Sequence, residues 1–505
     1  MQDTQGNIPE ESRGSVFQNW TSVVGGIMSI TWFSMFLVLF VLDVKAKEGN
    51  PYLGIITYLV IPLFLTISLL LIPIGAFIER KRRVKGTSYI PHFPKIDFNN
   101  PKHQKIAYVT IGVVVIFFIF IIVDTYKAYE FSESVSFCGQ TCHGVMSPEY
   151  TSYKNSPHAR VACVSCHIGP GVDWFVRSKL SGVYQVYAVT FNKYHRPIET
   201  PIKNLRPAQE TCEQCHWPQK FFGAIEQDKE YYLSDEKNTV WTTRMLMSVG
   251  GGMAPYGKGK GIHWHMNINN KVFYAATDKK RQNIPWIKVV HNNGKEETYV
   301  DTSSKVTADK PPAGELHRMD CMDCHNRPSH NFKPPFKAVN EAIFFELIDK
   351  SLPFIKREAV KALDTEYPSN DVAVSSIREK LEAFYKNKYP QVYEEKKKSL
   401  NQSIQAVINI YESNIFPGMK ASWKAYPDNI GHLISTGCFR CHDNKHKTAE
   451  GKTLSNECTL CHTIIEQGDP GSTEKNTDGL PFRHPQQDEE GWKEGSCVDC
   501  HTGGS

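Results

Sequence analysis

All fourteen cysteines of this chain go into one repeated pattern, and that pattern limits what the chain can become. Six copies are regular: CVSCH (Cys163, Cys166, His167), CEQCH (Cys212, Cys215, His216), CMDCH (Cys321, Cys324, His325), CFRCH (Cys438, Cys441, His442), CTLCH (Cys458, Cys461, His462) and CVDCH (Cys497, Cys500, His501). A seventh, FCGQTCHGVM, precedes them and is irregular. Three residues separate Cys138 from Cys142, and Met146 follows His143 three positions later. Structural zinc takes Cys or His in fours, which would pair the copies without requiring His after every second Cys. A disulfide framework places no demand on that His either.

Covalent attachment of haem c requires all three residues. The two thiols bond to the vinyl groups of one haem, and the adjacent His is delivered to the iron as an axial ligand. Seven haem c groups are therefore expected, with His143 or Met146 and then His167, His216, His325, His442, His462 and His501 as proximal ligands. The irregular copy has three readings: a damaged motif, a metal site of another kind, or a haem site with a different task. Axial ligation controls haem potential, and Met raises it relative to His. Haems are large apolar discs, so a chain that wraps them needs less of an ordinary hydrophobic core.

Three stretches are long and apolar enough to cross a bilayer, which takes about 20 residues: Val23–Leu42, Tyr52–Ile78 and Ile106–Val123. The second contains Pro62 and Pro73, which membrane helices tolerate. It runs directly into Arg80, Lys81, Arg82, Arg83 and Lys85, a cluster that the positive-inside rule places in the cytoplasm. The expected topology has the N-terminus inside, the first helix as an uncleaved anchor, and everything after Asp124 on the periplasmic side of the bacterial inner membrane. The net charge of +5 is too small to argue for nucleic acid as a partner.

Motif density divides the rest. Residues 1–130 form the anchor, and residues 131–335 a four-motif domain with a β insertion at about 221–310, where a hairpin is expected around Asn293-Gly294. Residues 336–430 lack cysteine and show helical spacing of apolar residues, so they read as helices packed between or against haems. Residues 431–505 hold three motifs in short, Gly- and Pro-rich loops. The fold class is a mostly α, membrane-anchored multihaem cytochrome c with three transmembrane helices, a haem-packed periplasmic region and a small β insertion.

Histidine arithmetic bears on the second axial ligands. Of 19 His, seven follow a motif cysteine, and His92 and His103 lie in the cytoplasmic loop. The remaining ten are His158, His195, His263, His265, His291, His317, His330, His432, His446 and His484, enough for bis-His ligation throughout. His158, His330, His265, His317, His432, His446 and His484 are the distal candidates. His263 and His265 fall on one face of an expected strand, so only one of the two is expected to ligate.

The stretch "NSPHARVACVSCHIGPG…FVRSKLSGVYQV…RPIETPIKNLRPAQETCEQCHWPQKF", within roughly Ile106 to Phe332, resembles the NapC/NirT family of membrane-anchored quinol dehydrogenases. The resemblance implies Met ligation of the first haem, with Met146 near the family's methionine position. It implies His158 as distal ligand of the fourth haem and His330 of the second. It also implies Lys179 as a contact of the quinol head group, although Gln185 and Val186 stand where the family has an acid. Two extra helices and three C-terminal motifs go beyond the four-haem members.

The function so implied is oxidation of menaquinol at the inner membrane. Electrons would pass through a haem chain to periplasmic c-type cytochromes in anaerobic or extracellular respiration. A homo-oligomer or a membrane subunit is a compatible partner. Two alternatives are a passive conduit fed by a partner membrane protein and a terminal multihaem reductase. Against the second, no motif reads CxxCK.

Overall fold

The computed structural model describes residues 15–45, 56–85, 97–141, 143–169, 171–202, 205–251, 261–266, 270–485 and 496–501. The chain forms two compact units, Met1–Ser132 with Ile168–Gly182, and Glu133–His167 with Val183–Ser505. Helices make up about half of the described residues.

In the first unit, helices Trp20–Lys45 and Ile61–Val84 are each long and apolar enough to cross a membrane, and they pack on one another. Two glycines permit the close approach. A Cβ on Gly25 would lie 2.9 Å from the Leu71 Cβ, and one on Gly75 would lie 2.5 Å from the Ser22 Oγ. Ser22 Oγ donates to the Ile72 carbonyl at 2.9 Å, and Trp32 stacks on Phe64 at 4.9 Å. The second helix carries Pro62 in its first turn, where a missing N–H costs nothing, and continues through the basic cluster to Val84. The expected stretch Tyr52–Ile78 begins outside the described residues. Helix Pro101–Ser132 covers the third apolar stretch.

The second unit holds every described motif cysteine and has two antiparallel sheets beside a helical group. Its strands are β1 Ile225–Tyr232, β2 Val240–Met247, β3 Lys271–Ala275, β4 Trp286–Val290, β5 Glu296–Asp301, β6 His317–Arg318, β7 His446–Lys447, β8 His462–Gly468 and β9 Glu474–Leu480. The first sheet has the order β1-β2-β8-β9, and the second β6-β3-β4-β5-β7. The β4–β5 hairpin turns at the expected place, with Gly294 at φ 79°, a left-handed position that suits glycine.

The sheets correct the expected layout. β1 to β6 are not a self-contained insertion, because the C-terminal segment supplies β7, β8 and β9. In β8, Met247 of β2 pairs with His462, so a motif residue opens a central strand.

The helices Pro335–Phe344, Ile355–Asp364, Asn370–Lys388 and Lys397–Asn414 also differ from expectation. They bury Val339, Leu352, Ile355, Ala359, Ile377, Leu381, Ile404, Val407 and Tyr411 against one another. This is an ordinary apolar core, and its sequence period of three to four residues points each buried face at the neighbouring helices.

Candidate functional site

Each regular motif is a single tight turn. Cys163–His167, Cys321–Cys324 and Cys497–Cys500 are one-turn helices, while Gly437–Arg440 and Cys458–Leu460 are 3₁₀ turns. A helical turn brings positions i and i+3 to one side, so the two thiols face the same way. The motif histidine closes the turn, its backbone N–H donating to the first cysteine's carbonyl: His216 to Cys212 at 2.8 Å, His325 to Cys321 at 2.8 Å, His442 to Cys438 at 3.1 Å and His501 to Cys497 at 2.8 Å. In the fourth motif the third residue also caps the turn. Asp323 accepts from the Asp320 N–H at 2.8 Å while Asp320 accepts from Met322 at 2.8 Å. Among the described residues, no cysteine forms a disulfide.

The irregular motif has different local geometry. Phe137–Thr141 makes a wide π turn, which accommodates one extra residue. Cys142 and the side chain of His143 lie outside the described residues. Met146 is half-buried on the helix His143–Lys154. A Cβ on Gly139 would fall 2.3 Å from the Tyr150 ring, so only glycine fits there.

The six regular motif histidines each face a second histidine. Ring centres are 6.2 Å apart for His167–His330, 6.1 Å for His216–His158, 6.4 Å for His325–His263, 6.0 Å for His442–His265, 6.2 Å for His462–His432 and 6.0 Å for His501–His484. An imidazole nitrogen binds a metal at about 2 Å, which puts each ring centre about 3 Å from the metal and two opposed rings about 6 Å apart. The six spacings fit one metal held between each pair.

Hydrogen bonds and burial prepare these rings for ligation. The Nδ1 of His158 donates to the Pro328 carbonyl (3.3 Å), that of His330 to Glu149 (3.0 Å), that of His263 to Val249 (2.7 Å), that of His265 to Ile262 (3.0 Å) and that of His442 to Ser455 (3.0 Å). Each bond fixes the tautomer that leaves the Nε2 lone pair for a metal. Burial pushes His330 down to about 4, with Arg327 adding to the effect, and burial lowers His167, His265, His325, His432, His442 and His462 as well. A neutral ring is the form that binds metal.

Several expectations change. His158 faces the third motif's His216 rather than the fourth motif. The fourth motif's partner is His263, which the strand assumption had set against His265. Both lie on the 3₁₀ turn Ile262–Met266, whose period of about three residues points positions two apart in different directions. Two other candidates are engaged elsewhere. His446 is buried with Nδ1 on the Asp443 carboxylate at 2.8 Å and Nε2 on the Ile284 carbonyl at 2.7 Å. His317 lies on β6 against Tyr274, ring centres 5.4 Å apart. Lys179 is half-buried on the helix Val172–Thr190.

A family model, the NapC/NirT cytochrome c family N-terminal region, matches residues 100–210. The chain is also 39% identical, over 485 residues, to cytochrome c-type protein ImcH of Geobacter sulfurreducens, spanning 96% of this chain and 95% of that relative. This chain belongs to the NapC/NirT cytochrome c family. No solved structure matches it. Membership implies covalently bound haem and electron transfer as the activity, and the thiol turns and opposed histidines are donors of the required kind.

Proposed function

We propose that this NapC/NirT cytochrome oxidises menaquinol at the bacterial inner membrane and passes the electrons to periplasmic c-type cytochromes. Each menaquinol would yield two electrons and two protons, the protons being released on the periplasmic side. The observation that carries this reading is the set of six opposed histidine pairs beside six thiol pairs, a run of like redox sites within a membrane-cytochrome family.

Haem, bound covalently at these residues, supplies one-electron carriers whose potentials follow from their axial ligands. Cys138 and Cys142 would hold the first of seven, with His143 or Met146 as its axial group. The chain's own part is to attach, orient and insulate. The thiols fix each site, and backbone carbonyls hold the Nδ1 protons of His158, His330, His263, His265 and His442. Helices Trp20–Lys45, Ile61–Val84 and Pro101–Ser132 would span the membrane, with Arg80 to Arg83 on the cytoplasmic side. Lys179 would orient the quinol oxygen and stabilise negative charge as its proton leaves.

A second reading, a conduit fed by a partner membrane protein, draws on Gln185 and Val186 standing where the resemblance expects an acid. One experiment separates the two. Oxidised protein in detergent is mixed with a reduced menaquinone analogue, wild type against Lys179→Ala, and haem absorbance is followed by stopped flow. Fast reduction that the substitution slows strongly supports the quinol site. No reduction by quinol, with dithionite still reducing the haems, leaves the conduit.

A further inference from the structure

The seven sites touch one another in the order of their motifs. The helix His143–Lys154, which starts at the first motif's histidine, carries the Glu149 carbonyl that accepts from the Nδ1 of His330 at the second site at 3.0 Å. The second motif's helix Cys163–His167 packs on Ala208–Cys212 of the third. The helix Ala208–Cys212 of the third site packs on Cys321–Cys324 of the fourth, while Phe221, just past the third motif, lies 4.5 Å from the ring of His263 at the fourth.

The fourth and fifth sites take His263 and His265 from one turn, and Arg440 inside the fifth motif donates to the Asp323 carbonyl inside the fourth at 2.7 Å. Phe439 of the fifth motif stacks on His432 of the sixth site, 4.5 Å between ring centres and 17° between planes. Finally, the Cys497 sulfur of the seventh site lies 3.7 Å from the Nδ1 of the same His432. Every one of these contacts joins a site to the next in the sequence.

We infer that electrons travel an unbranched path from the first motif to the seventh, so that the seventh site, Cys497, Cys500, His501 and His484, is the exit to a one-electron acceptor. This rests on the proposed function for its direction and not for its order. Each hop removes one electron from a site and adds one to its successor, with no bond made or broken. The two electrons of one quinol leave the seventh site singly, each reducing one acceptor cytochrome. The sixth site is then an obligatory step although its ligand His462 sits in a sheet.

The test uses the full chain with the sixth site removed (Cys458→Ala, Cys461→Ala) and, separately, with the seventh removed (Cys497→Ala, Cys500→Ala). Low-temperature EPR of the oxidised proteins reads the order directly. Loss of the sixth site should free the seventh-site signal of magnetic coupling and leave the signals of the first four unchanged. In stopped flow with the menaquinol analogue, the variant without the sixth site should reduce five sites at the wild-type rate and leave one oxidised. The variant without the seventh should reduce all six at the wild-type rate yet lose transfer to soluble cytochrome c. Reduction of all six remaining sites at the wild-type rate in the sixth-site variant would overturn the order, as would undiminished acceptor reduction without the seventh. Should quinol fail to reduce the wild type, the function proposal falls and the EPR arm still decides the order. If the sixth-site variant does not fold, the seventh-site variant carries the test alone, since it leaves both sheets intact.

Discussion

At the scale of single residues, the contrast between His265 and His446 shows what makes a histidine available to a metal. His446 is buried and His265 partly so, but His265 spends only Nδ1 on the protein, whereas His446 spends both nitrogens. Burial opposes charging of His446, yet the Asp443 carboxylate and the Ile284 carbonyl overcome it and raise its pKa. A base raised on folding contributes stability that is complete below about pH 6.5 and is lost as pH rises through the folded value. His446→Gln should therefore cost about 1–3 kcal/mol at pH 6. The cost should shrink by pH 9 in thermal melts, and no new high-spin band should appear. His265→Ala should do the reverse, adding one high-spin, carbon monoxide-binding haem. His446 carries a local clue in Asp443, three residues before it, a spacing that allows a side-chain bond within one turn. His263 was missed because a strand was assumed where the chain makes a 3₁₀ turn. Alternation in "IHWHM" is compatible with either.

At the scale of elements, the helical group depends on apolar faces, and one residue in it breaks the pattern. Lys356 is 1% exposed on the helix Ile355–Asp364, with its Nζ donating to the Asn340 Oδ1 and lying 4.1 Å from the Phe336 ring centre. Burial brings it down from 10.5 to about 7. The unfolded chain holds that proton up to a higher pH than the folded one does, so stability falls as pH drops from about 10 toward 7. Lys356→Met should raise stability at pH 7 by about 1–3 kcal/mol and flatten its dependence between pH 7 and 10, read by chemical denaturation followed through tryptophan emission. A drop in stability instead would assign the lysine a structural bond worth more than its desolvation. The helices were legible from their spacing, but what they pack against was not. A period of three to four residues defines a buried face without naming the surface that covers it.

At the scale of the whole molecule, the division into a four-motif domain and a separate C-terminal domain does not survive the sheets. Motif density reads as modules along the chain, whereas β8 lies between β2 and β9 and so places the sixth motif inside the fold of the first four. Strand pairing across so many residues leaves no mark in spacing, since "HTIIEQG" gives its alternation and not its partner. A long-range pair makes the same point: His442 of the fifth motif takes its partner from His265, which lies between the third and fourth motifs. A chain ending at residue 430 would lose β7, β8 and β9, expose the β2 and β5 edges, and strip from the fourth motif the Arg440 bond to the Asp323 carbonyl. It should not accumulate as a folded four-haem protein. In limited proteolysis the full chain should give a resistant core that contains both sheets and the helical group, and the truncated chain should be digested through, with haem content well below four. A protease-resistant fragment carrying four haems would instead show that the first four sites fold without the sheet strands that follow them.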